Sequence, residues 1–265
     1  MNLPTRFPEA KVLMALLCLL GCVVGFSAQP ALSSSQREVR VHADGSLTGV
    51  ADAIGCSAPG RTSTNTTRYS FGLPEGPPQR RWLEADHLPI CHTQWETNGV
   101  RYLQTVMLTR LEEGDLSATQ VGSVDSVLLV RIMGESLTNQ YASAEAALAI
   151  HEGECATRLE LTNLVVYARP DKLPIPFAVL DISPSGIDTT AGTQLHFRGN
   201  IPPATSGSMV IKIPAVQVRD EPTLNRLLDL DFERELQRVK QYWRSVPTGE
   251  LSYPPVQLVI RAPTQ

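Results

Sequence analysis

The stretch from His92 to Leu111, HTQWETNGVRYLQTVMLTRL, constrains the fold more than any other part of the chain. Asn98-Gly99 divides two alternating runs, and a two-residue Asn-Gly loop adopts the type I′ turn whose twist matches that of paired strands. Counting outward from the loop sets Thr97 opposite Val100, Glu96 opposite Arg101, Trp95 opposite Tyr102 and Cys91 opposite Val106. One face then carries Cys91, Trp95, Val100, Tyr102, Val106 and Leu108. The other pairs Glu96 with Arg101 near the tip and turns apolar at Ile90, Leu103, Met107 and Leu111. A hairpin apolar on both faces belongs inside a layered all-β structure.

The flanking sequence extends the same pattern. Glu38 to His42 and Ser46 to Val50 alternate about the turn Asp44-Gly45 and predict a first hairpin. Gly55 to Pro78 reads as a long loop with one short strand at Arg68 to Leu73. Val124 to Glu135 carries branched apolar residues in both phases and predicts a strand buried on both sides. In Tyr141 to Ile150 the alanines favour helix, whereas the position between two strands favours a strand, and strand is the reading taken. Thr157 to Ala168, Phe177 to Ile182, Gln194 to Arg198 and Met209 to Val218 add further strands. Many short strands punctuated by Pro, Gly, Asp and Ser indicate a sandwich or barrel.

The period changes after Asp220. Phe232, Leu236, Val239, Trp243 and Val246 make one stripe of an amphipathic helix, with Arg234, Arg238, Lys240 and Gln241 assigned to the wet side, and Pro247 and Gly249 end it. Leu224, Leu227 and Leu228 suggest a helical turn after Pro222. The stripe must lie on the sandwich or on a following domain. These boundaries divide the chain into a leader (1–27), a linker (28–35), a β-sandwich (36–218), a helical linker (219–249) and a tail or start of a missing domain (250–265).

The leader joins Arg6 and Lys11 to the apolar run Val12 to Phe26, with Gly25 and Ser27 as small residues at a possible cleavage site, the outline of a secretory signal. Leu19-Leu20-Gly21-Cys22 also resembles a lipobox, which would acylate Cys22, although apolar residues continue past it. An uncleaved anchor is the third alternative, and the run is short for a span. The expected location is secreted or periplasmic, with a membrane-anchored lipoprotein as the alternative. The whole chain has a formal charge of −4, and losing the leader makes it more acidic, so no basic patch remains to neutralise a nucleic acid backbone. Cys56, Cys91 and Cys155 follow the leader. One bridge, Cys56 to Cys91, and three free buried thiols are both compatible with that number.

Most candidate constellations have a plain structural explanation. Glu112, Glu113 and Asp115 lie at a turn, and Glu152 and Glu154 beside His151 alternate like one strand face. Asp86, His87, Cys91 and His92 cannot all converge on a metal, because Cys91 and His92 fall on opposite faces of a strand. Neither Gly122-Ser123 nor Gly207-Ser208 makes a nucleophile elbow, and no phosphate loop precedes a helix. No cofactor or metal site is expected.

Four segments occur in an order that resembles a known arrangement: Leu88 to Val106, Val127 to Asn139, Phe197 to Pro214 and Leu230 to Val246. Together they resemble the N-terminal β-sandwich and linker helix that precede the (α/α)6 barrel of bacterial six-hairpin glycosidase-like proteins, the group that includes glucoamylase-type enzymes. The resemblance implies a large antiparallel β-sandwich, supersandwich-like, followed by one amphipathic helix. It implies no catalytic residue, since the acid and base carboxylates of that group sit largely in the barrel. Carbohydrate or a helical catalytic domain is the partner it implies, and a free-standing envelope or interaction protein is the alternative. Sugars stack on exposed rings beside carboxylates, which makes Trp82 with Glu84 and Asp86 the candidate contacts, weighed against Trp82 as a structural anchor.

Overall fold

Asn98 and Gly99 both have positive φ, 51° and 75°, as a type I′ turn requires. A Cβ on Gly99 would also meet the Thr138 methyl at 2.6 Å, so glycine answers to both backbone and space. In this computed structural model the described residues are 39–41, 46–49, 67–70, 78–85, 88–111, 126–152, 155–156, 159–168, 175–183, 188–190, 194–214, 218, 220–245 and 258–260. All lie within the second of two units, Gln36–Gln265.

In chain order the strands are β1 (Val39–Val41), β2 (Leu47–Gly49), β3 (Thr67–Ser70), β4 (Arg80–Glu84), β5 (Leu88–Thr97), β6 (Val100–Arg110), β7 (Ser126–Ser136) and β8 (Ala142–Glu152). Then come β9 (Cys155–Ala156), β10 (Leu159–Thr162), β11 (Val165–Ala168), β12 (Ile175–Ser183), β13 (Asp188–Thr190), β14 (Gln194–Ile201) and β15 (Ser206–Pro214). Two helices, α1 (Glu221–Asp229) and α2 (Phe232–Ser245), precede β16 (Leu258–Ile260). One sheet runs β13-β14-β8-β3-β2-β1-β16 with β9 on β8, and the other runs β10-β11-β12-β15-β7-β6-β5-β4. The all-β sandwich is therefore the fold. Its second sheet is antiparallel throughout, whereas β1 and β16 of the first pair in parallel. No tight turn joins those two strands, so nothing forces them to run oppositely.

The hairpin register is the one counted from the turn: Thr97 faces Val100, Glu96 faces Arg101, Trp95 faces Tyr102 and Cys91 faces Val106. Cys91, Trp95, Val100, Tyr102 and Val106 enter a core shared by both sheets, with Leu47, Leu148, Leu195 and Phe197 from the opposite sheet. Gly134 on β7 lets the layers approach, since a Cβ there would stand 2.9 Å from Ile201 Cδ1 and 3.6 Å from the Ala144 Cβ. Ala142, Ala144 and Ala146 face the same core. The alanines of β8 thus mark a strand that fits a narrow gap, and their helix propensity is overridden by cross-strand pairing with β14. Tyr102 ties the layers as well, its hydroxyl accepting from the Glu145 amide at 3.2 Å.

The other face of the hairpin sheet has its own apolar cluster. Leu88, Ile90, Met107, Leu129, Val179 and Val210 meet Leu227, Leu230, Phe232, Leu236 and Val239 there, and Trp243 packs against them half-buried. The helical stripe therefore lies on its own sandwich. This answers the open choice between sandwich and following domain, and the preceding helical turn extends to a nine-residue helix. Asp220 caps α1 by accepting from the Thr223 amide at 2.8 Å, with Pro222 in its first turn. Asp231 accepts from the Arg234 amide at 2.7 Å at the start of α2.

Several expectations fall outside the described residues: the leader with Cys22, the Cys56 partner, Asp86 and His87, the acidic turn 112–115, and Glu154. Cys91 is free and wholly buried, so the bridge to Cys56 is not made in this structure. Its side chain points from the middle of β5 into the apolar core between the sheets, and burial raises its thiol pKa. Among the described residues no helix is long and apolar enough to cross a membrane.

Candidate functional site

Pro89 starts the construction of a partly buried ionisable cluster that spans sheet and helix at the β4 edge. Proline has no N–H to give to a ladder, and the β4–β5 pairing slips where it lies: Leu83 faces Cys91, but Glu84 faces Leu88. Trp82 lies directly opposite His92, and alternation along β4 puts Glu84 on the same side as Trp82. His92 in turn faces Thr105 on β6. Trp82, Glu84, His92 and Thr105 thus gather on the helix-covered face at the edge formed by β4.

Their contacts form a continuous series. His92 Nε2 lies 2.8 Å from Glu84 Oε2, and His92 Nδ1 lies 3.1 Å from Thr105 Oγ1. A carboxylate only accepts, so Nε2 carries the hydrogen, and in the neutral ring Nδ1 accepts from the threonine hydroxyl. The second Glu84 oxygen, Oε1, takes Lys240 Nζ of α2 at 2.9 Å. Trp82 stacks on the imidazole with centroids 5.1 Å apart, and the Arg80 guanidinium sits 4.6 Å from the centre of the indole ring.

The electrostatics follow from this enclosure. Lys240 is the main reason that the Glu84 carboxyl is held below the usual range, against an opposing effect of burial, and His92 assists. Burial pushes the His92 pKa down despite Glu84 beside it, with Lys240 and Arg131 adding to the effect. The lowered pKa favours the neutral imidazole, which the hydrogen bonds just given accommodate. Carboxylate, imidazole and hydroxyl in that order are also the parts of a nucleophilic relay. Thr105, however, is 0% exposed and His92 only 7%, so no substrate atom can reach the hydroxyl. The arrangement works as a latch that fastens an edge strand and a helix to the sheet.

Of the three proposed carbohydrate contacts, the structure brings Trp82 and Glu84 together and commits both inward; Asp86 lies outside the described residues. Lys240 and Arg238, assigned to the wet side of the helix, instead turn back toward the sheet. Arg238 Nη2 reaches Glu235 Oε2 at 2.5 Å, Thr109 Oγ1 at 2.8 Å and the Arg110 carbonyl at 2.9 Å. Both residues flank the apolar stripe, and long stems can lie along it while their charges reach partners. The His92–Thr105 pairing could have been read from the turn by the same outward count that placed Trp95. No sequence signal names Lys240 as the partner of Glu84, because that contact depends on how the helix crosses the sheet.

No protein-family model matches the chain, and no curated protein matches it. The likeness to a glycosidase-like sandwich therefore rests on the four ordered segments alone.

Proposed function

We propose that the chain is an exported, non-catalytic β-sandwich module that supports or extends carbohydrate binding by a helical catalytic partner. The observation that supports the non-catalytic part is the enclosure of Glu84, His92 and Thr105. Each polar group in that series meets another protein group, and the hydroxyl that would act as nucleophile is wholly buried. The link to carbohydrate comes from the resemblance. Because Trp82 and Glu84 are engaged within the fold, support of a partner is favoured over direct sugar contact at that edge.

Affinity electrophoresis through gels carrying different polysaccharides, run beside a turnover assay on the same glycans, tests the reading. The expected outcome is retardation in at least one gel, no product, and no selective loss of retardation in Trp82→Ala. Turnover that disappears in His92→Ala would overturn it, as would migration unaffected by every polysaccharide.

A second reading, a free-standing envelope or interaction protein, is favoured by a specific contact. The helical stripe meets its own sheet, through Leu236 and Val239 against the cluster of Ile90 and Met107, and so needs no further domain to cover it. Incorporation of a labelled fatty acid, lost in Cys22→Ala, would select this reading.

A further inference from the structure

Beside the Asn98-Gly99 tip of the central hairpin, two connections cross from one sheet to the other: β7 to β8 through residues 137–141, and β14 to β15 through residues 202–205. Hydrogen bonds tie the tip and both crossings together. The Leu137 amide donates to the Gly99 carbonyl at 2.8 Å, and the Ser136 amide donates to the Thr205 carbonyl at 3.0 Å. Within the first crossing Thr138 Oγ1 donates to the Gln140 carbonyl at 2.8 Å, and within the second Thr205 Oγ1 donates to the Pro202 carbonyl at 2.9 Å. This end of the sandwich is a braced surface, so a ligand need not first order its loops.

Its chemistry sets it apart from the rest of the chain. Residues 97–100, 136–144 and 199–211 contain no Asp, Glu, Lys, Arg or His, although 19% of the chain is Asp, Glu, Lys or Arg. The next charges along β5, β6 and β7 are Glu96, Arg101 and Glu135, which pair at 2.8 and 3.1 Å; those along β8 and β14 are Glu145 and Arg198, which pair at 3.2 Å. An ionic ligand therefore meets no countercharge on these connections. What they present is amide and ring. Asn98, Asn139, Gln140 and Asn200 are exposed, and a side-chain amide both donates and accepts. Tyr141 is 70% exposed and Leu137 44%, so one five-residue crossing carries two of the three exposed large hydrophobic side chains among the described residues. Among those residues no hydrogen bond or ring contact engages the Tyr141 side chain, whereas the Trp82 ring is spent on His92 and Arg80. Tyrosine among asparagines and serines on fixed loops supplies rigid contact area with adaptable hydrogen bonding. A neutral polyhydroxyl ligand matches each part: hydroxyls for the amides, the C–H face of a sugar for the ring, and no charge. A protein surface would bring a polar, charged rim for which these connections hold no counterpart.

We propose that this end of the sandwich binds an uncharged glycan, with Tyr141 as the ring on which a sugar stacks. The inference rests on the reading of the chain as a carbohydrate-supporting module and places the sugar contact on the loops, away from the β4 edge. Affinity electrophoresis of the full chain through gels carrying dextran, starch, xylan or anionic pectate tests it, with dissociation constants taken from retardation against polymer concentration. At least one uncharged polymer retards the parent, and Tyr141→Ala weakens that binding about tenfold, the scale of one lost ring contact. Tyr141→Phe, which keeps the ring, binds as the parent does. The thermal midpoint of both, read by circular dichroism, stays at the parent value. Asn139→Ala with Gln140→Ala weakens binding as well and serves should Tyr141→Ala fold poorly. Leu164→Ala, which trims the exposed side chain at the β10–β11 turn, leaves retardation unchanged. Retardation undiminished in Tyr141→Ala, an equal loss in Leu164→Ala, or tighter binding of pectate than of every uncharged polymer would overturn the placement and leave the module reading standing. A sedimentation coefficient that falls in Tyr141→Ala while retardation persists would assign the surface to a second copy of the chain and overturn it too. Parent migration unaffected by every polymer would overturn both.

Discussion

The two faces of the hairpin sheet are both buried, but they are buried differently. Toward the other sheet the polar groups sealed on β5 and β6 are the uncharged Thr93 and Gln104, amid Cys91, Trp95, Tyr102 and Val106. Toward the helices the buried set includes His92, Lys212 and Glu235, with Glu84, Arg131 and Arg238 at their margins. The covering layer accounts for the difference. Strands spend their backbone groups on each other and offer a facing sheet mainly side chains. Helices end in unpaired carbonyls and carry long charged side chains along the flanks of their apolar stripe. Lys212 uses the first of these, the Leu228 carbonyl near the end of α1. Glu84 uses the second, through Lys240.

The strongest test of that contrast is to cut each face in turn. Trp95→Ala empties a site 3% exposed at the centre of the sheet-on-sheet core, and should lower the unfolding free energy in urea by about 3–5 kcal/mol. A loss below about 1 kcal/mol would mean that this face is less tightly packed than the structure has it. On the helical face Glu235→Ala leaves Arg238 without its carboxylate. The expected cost is about 2–3 kcal/mol, less than for a fully enclosed pair because Arg238 retains 26% exposure. Restoring a neutral partner with Glu235→Gln should recover part of it.

Acidity should separate the faces more cleanly. The folded state holds His92 below its usual pKa, so below about pH 6.5 the unfolded chain takes up the proton more readily. Stability therefore falls as the pH drops from about 6.5 toward the folded value of His92, then levels with respect to that group. Glu84 acts lower on the scale: its carboxyl is depressed by Lys240, so its contribution is present above the usual carboxylate range and is lost as the pH falls through its folded value. Urea titrations from pH 8 to 4 should show a decline beginning near 6.5 that His92→Gln removes. Persistence of that decline in His92→Gln would place its origin elsewhere.

What the sequence disclosed depended on whether a feature is local. Asn98-Gly99 was legible because only a few residue types accept positive φ at both turn positions, and it fixed two faces of a sheet at once. The turn Asn163–Leu164 has the same signs, φ 50° and 63°, but leucine there gives no warning, and the β10–β11 hairpin was read only as strand-rich sequence. A leucine at positive φ costs about 1–2 kcal/mol, which the hairpin meets through the Leu164 carbonyl, acceptor for the Leu180 amide at 2.7 Å. The strand β4 gave no such signal, since Arg80, Arg81 and Glu84 hide its alternation. Trp243 and Leu236 announced a helix; Lys240 could not announce Glu84, nor Arg238 its contacts with Thr109 and Arg110, all of them over a hundred positions away in the chain.

The smallest expected effect lies on the helical side of the sheet but at the hairpin tip. Glu96 and Arg101 pair across the tip at 2.8 Å, and Arg101 also reaches Glu135 at 3.1 Å, with 41% of its side chain exposed. By distance this pair equals the Glu84–Lys240 contact at 2.9 Å. By environment it does not, since water and salt screen charges at the surface and holding two long side chains together costs entropy. Arg101→Ala should therefore leave the urea midpoint unchanged within error at moderate salt, whereas Lys240→Ala should shift it measurably. The result that would dissolve the comparison is equal shifts in the two variants, both suppressed alike by added salt, because distance alone would then govern and the helical cover would contribute nothing to the strength of the ion pair beneath it.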